Sequence, residues 1–363
     1  MKTRVTLLLG AACSAILFST AAVAQSAYSA LQLSSGNYFT SMNNSGQLVG
    51  MDTTAGYVYT DANGLGLHTL ATPAGYMGVQ GFLNPAINNL GQVAGAYAPT
   101  DGSNNLQGFY TTTSGSVVST SANGELLPAI NALNDQGQMA GFYNNGTSVW
   151  VASQGGASWQ PLSTLSANSN NYAITGINNQ GQMSGVDVSS GAGVFQSFFA
   201  SPDGSTFIKP IDLLYGTEMF GVNSRYLNDK GQLVGTYLDK LDNKSYAYLT
   251  GRNGHGLAVL DGVTTAMGLN NAGQVAGTGT DANGNFVAVI TGDNGVGVID
   301  VNTLYSIPGD TFATAQAIND RGQILVFTAS NEEYLLTPVP EASTGALMLL
   351  GLCGLGLVHR RKH

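Results

Sequence analysis

Cysteine is almost absent from this chain of 363 residues, which has only two. Cys13 lies in an apolar stretch near the N-terminus, and Cys353 lies in another near the C-terminus. Residues 25–338 therefore contain no thiol. This excludes disulfides and thiolate metal sites from that region, so packing and hydrogen bonding must hold it together.

Positive charge is also scarce. The chain has 12 Lys and Arg against 21 Asp and Glu, and no Lys or Arg occurs between Val5 and Ile208. From Gln25 to Pro340 there are 7 basic and 20 acidic residues, a net charge of −13. An acidic surface of this kind repels phosphate backbones, which excludes nucleic-acid binding as a class of function.

Helical periodicity is the third missing feature, because no long stretch between the two ends repeats its apolar residues every 3.6 positions. Glycine, by contrast, accounts for 49 residues, and Asn, Ser and Thr are plentiful. This composition is typical of many short strands joined by tight polar turns, and it predicts an all-β fold.

The N-terminus has the features of an export signal. Lys2 and Arg4 precede an apolar run and then a group of small alanines. This order predicts a signal peptide over residues 1–24, which a signal peptidase removes. A lipoprotein signal that uses Cys13 is the alternative, but the bulky residue expected three positions upstream is missing.

The C-terminal segment 339–363 has three parts. They are Val339-Pro340-Glu341, an apolar run over 345–358 and a basic end that includes Arg360 and Arg361. The apolar part is at the short end of the length needed for a membrane-spanning helix. The basic end would remain in the cytoplasm, which predicts that the rest of the protein lies outside.

This tail resembles the PEP-CTERM sorting signal of exported bacterial proteins, in which the same three parts follow in the same order. The resemblance implies that an exosortase, a membrane peptidase-transferase, recognises and processes the tail. Two positions depart from the pattern: Ala342 stands where a second proline is usual, and Gly345 stands where an aromatic is common. An ordinary C-terminal membrane anchor is the alternative interpretation.

Between the two ends, one nine-residue motif occurs seven times. The copies are MNNSGQLVG at 42–50, INNLGQVAG at 87–95, LNDQGQMAG at 133–141, INNQGQMSG at 177–185, LNDKGQLVG at 227–235, LNNAGQVAG at 269–277 and INDRGQILV at 318–326. The Gly-Gln pairs are 42–50 residues apart, which indicates a tandem array.

The motif predicts a hairpin turn. Asn and Asp side chains bond the backbone ahead of them, and glycine adopts the positive φ that such a turn requires. We therefore interpret the motif as a structural joint, with a ligand role for the Asn-Asn/Asp pairs as the alternative. Turn chemistry does not explain the fixed glutamine, and a lateral bond to the next repeat is one hypothesis.

Each period accommodates four short strands, which is the size of a β-propeller blade. The last repeat supplies only three strands, over 311–338, and an additional strand at 28–34 precedes the first repeat. The sequence therefore predicts a seven-bladed β-propeller over 25–338. The N-terminal strand is expected to complete the last blade and so to close the ring.

The repeat resembles the HAF-repeat family of bacterial extracellular proteins, whose units share the INNxGQxxG core, over nearly all of 38–337. The aromatic third strand of that family has counterparts at 108–110, 197–199 and 246–248. The His-Ala-Phe sequence that names the family is absent. The resemblance implies an exported, propeller-like domain and no defined activity.

Few residues suit catalysis or metal binding. Only two histidines, His68 and His255, occur between 25 and 338, which is too few for a zinc site. The Asp-Ala-Asn-Gly sequences that begin at Asp61 and Asp281 lack the oxygen ligands of a calcium loop and are interpreted as plain turns. There is no G-x-S-x-G motif either. Neither a metal nor a cofactor is predicted.

Two loops, 213–225 and 238–245, combine charge with aromatic residues. On the predicted propeller they share a face with two loops that carry further tyrosines, opposite the repeated turns. The candidate binding groove consists of Tyr76, Tyr215, Glu218, Arg225, Asp239, Asp242 and Tyr305. Tyrosines with mixed charge suit a sugar polymer, and a carboxylate pair could cleave one. A set of solvated loops is the alternative.

The hypothesis from the sequence alone is a non-enzymatic, exported binding protein of the cell surface or extracellular matrix that recognises exopolysaccharide. The polysaccharide is implied by the PEP-CTERM resemblance, because such proteins occur in bacteria that produce exopolysaccharide. The alternatives are a glycan lyase or glycosidase on the same scaffold, and a purely structural matrix protein.

Overall fold

The computed structural model describes residues 27–52, 56–78, 84–103, 106–122, 125–126, 129–142, 149–153, 158–162, 172–187, 196–209, 216–218, 226–239 and 241–340. Over these ranges the strands form seven sheets of four or five strands and one two-stranded hairpin. The prediction of an all-β, seven-bladed propeller is confirmed. The predicted signal peptide, and the tail beyond Pro340, lie outside the described residues.

The strands are numbered in chain order. They are β1 (Tyr28–Gln32), β2 (Asn37–Met42), β3 (Leu48–Asp52), β4 (Gly56–Tyr59), β5 (His68–Thr69), β6 (Tyr76–Gly78), β7 (Ala86–Ile87), β8 (Val93–Pro99), β9 (Gln107–Thr111), β10 (Val117–Ser119), β11 (Ser121–Ala122), β12 (Glu125–Leu126), β13 (Ala129–Leu133), β14 (Met139–Phe142), β15 (Val149–Ala152), β16 (Trp159–Pro161), β17 (Tyr172–Ile177), β18 (Met183–Asp187), β19 (Gln196–Ala200), β20 (Phe207–Ile208), β21 (Gly216–Glu218), β22 (Val234–Asp239), β23 (Ser245–Leu249), β24 (Ala258–Leu260), β25 (Thr265–Leu269), β26 (Val275–Thr280), β27 (Phe286–Thr291), β28 (Val298–Asp300), β29 (Phe312–Ile318), β30 (Ile324–Thr328) and β31 (Glu333–Pro338).

The blades follow this order. Blade 1 is β2–β5, blade 2 is β6–β10, blade 3 is β13–β16, blade 4 is β17–β20, blade 5 is β21–β24, blade 6 is β25–β28, and blade 7 is β29–β31 with β1 on its outer edge. The hairpin of β11 and β12 lies between blades 2 and 3 in sequence. Within the described residues, 3₁₀ turns occur at Ala62–Gly64, Arg252–Gly254, Asp293–Gly295 and Val301–Thr303. In the ranges given above, no helix has the length and apolar character needed to cross a membrane.

The apolar core lies between neighbouring blades. One cluster joins Leu249 of blade 5 to Ala266 and Val275 of blade 6. Another joins Ile290 of blade 6 to Phe312 of blade 7. A single blade cannot cover its own apolar faces, so stacking against both neighbours removes them from water and stabilises the array.

Blade 7 combines strands from the two ends of the described chain. β1 pairs antiparallel with β31, with Tyr28 opposite Pro338 and Gln32 opposite Tyr334. Leu33, which follows β1, packs in the cluster between blades 7 and 1. Backbone hydrogen bonds and apolar packing therefore link the two ends, in a region of the chain that has no cysteine.

The chain connections alternate between two edges of the propeller, because each blade is an antiparallel meander. The connections from first to second strand, and from third to fourth, lie at the edge that carries the seven repeated turns. We call this edge the turn face. The connections from second to third strand, such as 281–285, and from one blade to the next, such as 301–311, lie at the opposite edge, the loop face.

The last glycine of the motif sits where two backbones approach closely. Five first strands contain a β-bulge three residues before the first motif asparagine. In four of these blades the last glycine of the motif lies on the facing second strand, and in blade 7 Val326 takes its place. A Cβ on Gly50 would stand 2.1 Å from the Tyr38 carbonyl oxygen, and one on Gly141 would stand 2.1 Å from that of Ala129. A side chain at Gly50 or Gly141 would collide with the facing backbone, so the bulge explains a glycine that the turn itself does not require.

Candidate functional site

The repeated turn is organised by its first asparagine. In blade 6, the Asn270 Oδ1 atom accepts hydrogen bonds from the backbone nitrogens of Ala272 (3.1 Å) and Gln274 (2.9 Å). Gly273 has a φ of 85°. The same pair of bonds and a positive-φ glycine recur in the other six turns, so the predicted turn chemistry is confirmed.

The fixed glutamine has a role that sequence reasoning missed. In all seven turns its Oε1 atom accepts a hydrogen bond of 2.7–3.0 Å from the Nδ2 atom of the first asparagine. The hypothesised lateral bond is present in two turns. Gln182 Nε2 donates to Asn253 of the next blade at 2.8 Å, and Gln323 Nε2 donates to Asn63 of the next blade at 3.2 Å.

The first asparagines also form a closed ring around the propeller. Each Nδ2 atom donates a second hydrogen bond, of 2.9–3.1 Å, to the backbone oxygen of the first asparagine in the next blade. The members are Asn43, Asn88, Asn134, Asn178, Asn228, Asn270 and Asn319. The bond from Asn319 to Asn43 joins blade 7 to blade 1, at 3.0 Å.

The second motif position forms another closed ring. Each backbone nitrogen donates to the Oδ1 atom of the corresponding residue in the next blade, at 2.7–2.9 Å. The members are Asn44, Asn89, Asp135, Asn179, Asp229, Asn271 and Asp320. We refer to the two rings together as the turn ring.

Asparagine and aspartate alternate along this second ring. The Asp229 Oδ2 atom, for example, accepts hydrogen bonds from the side chains of Asn179 (3.1 Å) and Asn271 (3.2 Å). Each of the three aspartates has an asparagine on both sides, so every carboxylate receives amide donors and no two carboxylates are adjacent. Alternation must fail once among seven members, and it does so between Asn44 and Asn89.

The turn ring surrounds a cavity of about 160 Å³ at the turn face. The residue before each first asparagine contributes an apolar side chain to its wall. These residues are Met42, Ile87, Leu133, Ile177, Leu227, Leu269 and Ile318. Because the first asparagines use their amide groups to bind one another and their own turns, the hydrogen bonds bear out the interpretation of the motif as a joint.

The loop face carries a cluster of tyrosines and carboxylates in blade 5. The rings of Tyr237 and Tyr246 lie 5.8 Å apart, and the Tyr246 hydroxyl donates a short hydrogen bond to Asp242. This bond lowers the pKa of Asp242 and raises the pKa of Tyr246 to about 12. Burial, followed by the charges of Asp239 and Asp242, raises the pKa of Tyr237.

A second cluster of this kind lies between blades 6 and 7. Tyr305 and Tyr334 pack against the same apolar cluster, and the Tyr334 hydroxyl donates to Glu332 at 3.1 Å. Burial first, and then Glu332, Asp310 and Tyr305, raise the pKa of Tyr334. A hydrogen bond from Ser330 is the main cause that lowers the pKa of Asp310.

The predicted groove residues are distributed over the loop face. Asp239 and Asp242 belong to the blade 5 cluster, and Tyr305 belongs to the cluster between blades 6 and 7. Tyr76 packs instead against an apolar cluster of blades 1 and 2. Only the backbone of Glu218 is described, in β21, and both Tyr215 and Arg225 lie outside the described residues. The grouping of all seven into one groove stays a prediction.

The two histidines occupy corresponding connections of blades 1 and 5 on the turn face. His68 Nε2 lies 3.0 Å from Asp61 Oδ2, and its ring stacks on Tyr59. Asp281 Oδ1 accepts from the backbone nitrogens of Asn283 and Asn285, both at 2.8 Å, which is a plain turn. Within the described ranges, no three His, Cys, Asp or Glu side chains group in a way that could hold a metal ion.

Glu333 is a buried carboxyl group that the sequence did not reveal. It lies at the start of β31 with 6% of its surface exposed, and both carboxylate oxygens accept from the backbone nitrogen of Phe39 in blade 1, at 3.0 and 3.2 Å. Burial raises the pKa of Glu333 to about 8, against the opposing effect of the Phe39 hydrogen bond. A titratable group therefore lies at the contact between blades 7 and 1.

Comparison with known proteins gives the fold. No protein-family model and no curated protein matches the chain. YCF48 bound to D1 peptide is 12% identical, with a TM-score of 0.53 over 87% of this chain and 97% of that chain. The β-propeller domain of the Trilobed protease from Pyrococcus furiosus is 10% identical, with a TM-score of 0.51 over 83% and 95%. An oligogalacturonate lyase in complex with manganese is 11% identical, with a TM-score of 0.50 over 86% and 96%. At these identities, the similarity extends to the propeller fold alone.

Proposed function

We propose that this protein is an exported, non-enzymatic binding protein whose loop face recognises a polysaccharide of the cell surface or extracellular matrix. The observation that carries the proposal is the pair of tyrosine–carboxylate clusters, around Tyr237 and Tyr246 and around Tyr305 and Tyr334. Tyrosine rings pack against the apolar faces of sugars, and carboxylates accept hydrogen bonds from sugar hydroxyls.

The charge of the loop face narrows the class of polysaccharide. Asp242 and Asp310 both have a lowered pKa, so they remain ionised at neutral pH. Negative charges of this kind repel a polymer of uronic acids. We therefore propose a neutral or amino-sugar polymer as the ligand.

Export and sorting form the second part of the proposal. Residues 1–24 act as the signal peptide, and 339–363 act as the tail that an exosortase processes after transient anchoring in the inner membrane. This is compatible with the fold, because all seven blades lie between Ala27 and Pro340 and do not use either terminal segment. Co-expression with an exosortase should shorten the protein at its C-terminus, as read by intact mass. A Pro340→Ala and Glu341→Ala double variant should remain full-length.

A glycan array tests the binding function directly, with the full chain in detergent and a polysaccharide-degradation assay run beside it. Binding of neutral or amino sugars without product formation is the expected result. Tyr246→Ala should weaken that binding, whereas Tyr59→Ala, a half-buried tyrosine on the turn-face end of blade 1, should leave it unchanged.

Three other results would replace the proposal. Formation of sugar products would favour a glycan lyase or glycosidase on the same scaffold. Self-association without any glycan binding would favour a purely structural matrix protein. Equal loss of binding in the Tyr246→Ala and Tyr59→Ala variants would remove the loop face as the binding site.

A further inference from the structure

We infer that the turn face of the propeller lies against the membrane surface while the protein is anchored, so that the loop face points away from the membrane. The partner of the turn face is an anionic lipid surface. The inference rests on the C-terminal anchor in the proposed function, and it adds which face of the domain contacts the bilayer.

The position of the chain ends is the first argument. The Val339 backbone nitrogen donates to the Ala27 backbone oxygen at 2.9 Å. Pro338 lies beside Gly322 in the repeated turn of blade 7, with its Cγ atom 3.4 Å from where a Cβ on Gly322 would stand. Both ends of the described chain therefore leave the propeller at the turn face.

The distance from this exit to the proposed anchor is short. Four residues, 341–344, separate Pro340 from the apolar run that begins at position 345. Fully extended, four residues reach roughly 14 Å. A six-residue strand such as β31 spans about 20 Å. The connection is thus shorter than the height of a blade, so it keeps the turn face closer to the membrane than the loop face.

Exposed aliphatic side chains on the turn face are a second observation. They allow contact with a bilayer but do not choose the face, because Leu241 and Phe286 on the loop face are 86% and 67% exposed. Leu65 and Val296 are 57% and 73% exposed, in the third-to-fourth-strand connections of the blades on either side of blade 7. Leu90, in the repeated turn of blade 2, is 57% exposed. Aliphatic side chains that project from a surface gain free energy by entering the interface of a bilayer.

Charge is the third argument, because the two faces differ. On the loop face, the described residues include ten carboxylates besides the buried Glu333, and two lysines: Asp52, Asp101, Asp187, Asp239, Asp242, Asp261, Asp281, Asp300, Asp310 and Glu332, with Lys209 and Lys244. On the turn face they include six carboxylates and three cations: Asp61, Asp135, Asp203, Asp229, Asp293 and Asp320, with Lys230, Arg252 and Arg321. Both faces are net negative, so an anionic membrane repels the turn face less than the loop face, and the three cations of the turn face supply the local attraction.

Single-cysteine labelling tests this orientation in the full chain. The background is Cys13→Ser combined with Cys353→Ser, which removes both cysteines of the chain. Leu65→Cys and Val296→Cys report on the turn face, and Leu241→Cys and Phe286→Cys are the matched controls on the loop face, with original side chains 86% and 67% exposed. Each variant carries an environment-sensitive fluorophore and is reconstituted into phosphatidylcholine–phosphatidylglycerol vesicles that contain a lipid-borne quencher.

We expect strong quenching at the two turn-face positions and little at the two loop-face positions. In a second arm, Arg252→Glu combined with Arg321→Glu should reduce turn-face quenching on these vesicles but not on pure phosphatidylcholine. For each cation that is removed, we expect the affinity of the turn face for the anionic vesicle surface to fall about fivefold.

The possible outcomes separate the orientation from the anchor. Equal quenching on both faces, or stronger quenching on the loop face, in protein that floats with the vesicles would overturn the orientation. Failure of the full chain to float with vesicles would overturn the proposed anchor instead. All these positions are exposed, so we expect every variant to fold. A cooperative thermal unfolding transition of each variant checks this.

Discussion

The two faces of the propeller are built in opposite ways. The turn face repeats one motif seven times and joins its copies in a closed ring of hydrogen bonds. The loop face has connections that differ in length and composition from blade to blade, and among the described residues its tyrosine–carboxylate clusters lie in blade 5 and between blades 6 and 7. Internal repetition therefore marks the part of the molecule that holds the ring together, and variation marks the part that is available for binding.

The ring also shows why one motif can serve every blade. Each turn both donates to the next turn and accepts from the previous one, so identical units form a cycle without a special end. The second ring requires more, because carboxylates must be kept apart. Asparagine beside each aspartate meets that requirement. The following predictions test whether this contrast between the faces holds.

The largest effect should come from removing one first asparagine. Asn270 is 4% exposed and makes four hydrogen bonds, two within its turn, one to Gln274 and one to Asn319 of blade 7. Asn270→Ala leaves one buried and three half-buried hydrogen bonds unmade, so we expect the free energy of unfolding to fall by about 4 kcal/mol. Chemical denaturation gives this value.

The matched control for that variant is Asn285→Ala, in the loop-face connection of the same blade. Its amide makes a single exposed hydrogen bond to Asp281. We expect a loss below about 0.5 kcal/mol. Similar losses in the two variants would contradict the assignment of ring stability to the turn face.

The second prediction concerns Glu333, whose pKa is raised to about 8 by burial at the contact between blades 7 and 1. Below about pH 4.5 the carboxyl is neutral in folded and unfolded chains, and its contribution to stability is fully present. As the pH rises towards 8, the unfolded chain loses this proton first, so stability falls. Glu333→Gln does not titrate and should be more stable than the parent by about 5 kcal/mol at pH 9, with little difference at pH 4.

Thermal unfolding of both proteins from pH 4 to pH 9 measures this difference. The control is Glu332→Gln, because Glu332 lies next in the chain but its bonds to Gln32 and Tyr334 are exposed. That variant keeps Glu333, so its stability should follow that of the parent as the pH changes. A Glu333→Gln protein that parallels the parent at every pH would mean that the carboxyl is not buried as described.

The third prediction reverses the alternation in the second ring. Asn179→Asp places a carboxylate between Asp135 and Asp229, so both neighbours lose an amide donor and gain a like charge. We expect a loss of about 2 kcal/mol, and a smaller loss at high salt because the repulsion is screened. Denaturation at low and high ionic strength measures both.

The converse change, Asp229→Asn, removes an acceptor without adding repulsion. It should cost about 1 kcal/mol and depend little on salt. If Asn179→Asp were the milder of the two, the alternation would have no electrostatic basis.

The smallest effect on stability should come from the loop face. Tyr246→Phe removes the hydroxyl that donates to Asp242, on an exposed surface. We expect a change of less than about 0.5 kcal/mol in the free energy of unfolding. The pKa of Asp242 should rise towards its ordinary value, because its main stabilising bond is lost. An NMR titration of the side-chain carboxyl measures this, with Asp281 as the control.

Much of the fold was predictable because local chemistry repeats in the chain. Asn43 and its six counterparts each lie two residues before a variable position and three before a glycine, which is enough to identify a turn. The period then indicates four strands to a blade. The sequence did not explain the last glycine of the motif. Gly50, for example, is required by the bulge at Thr40, which lies on the facing strand.

The candidate site was predicted less completely. Asp239, Asp242 and Tyr305 stood out because they lie in charged or aromatic loops, but their partners Tyr237 and Tyr334 look like ordinary strand residues. Only pairing across strands and packing between blades brings these side chains together. The second ring left a signal that could have been found, because the second motif position is occupied only by Asn or Asp.

The sequence by itself determined the units of this protein: seven turns, the strands between them and an all-β fold without thiols. These follow from interactions between residues that are close in the chain. The tertiary structure alone decided the contacts that those units make with one another. These contacts include the closed hydrogen-bond ring, the burial of Glu333 and the placement of both chain ends on the turn face. The physical reason is that these features join residues that lie far apart in the chain, some by nearly 300 positions. Such residues become neighbours only when the array bends into a ring.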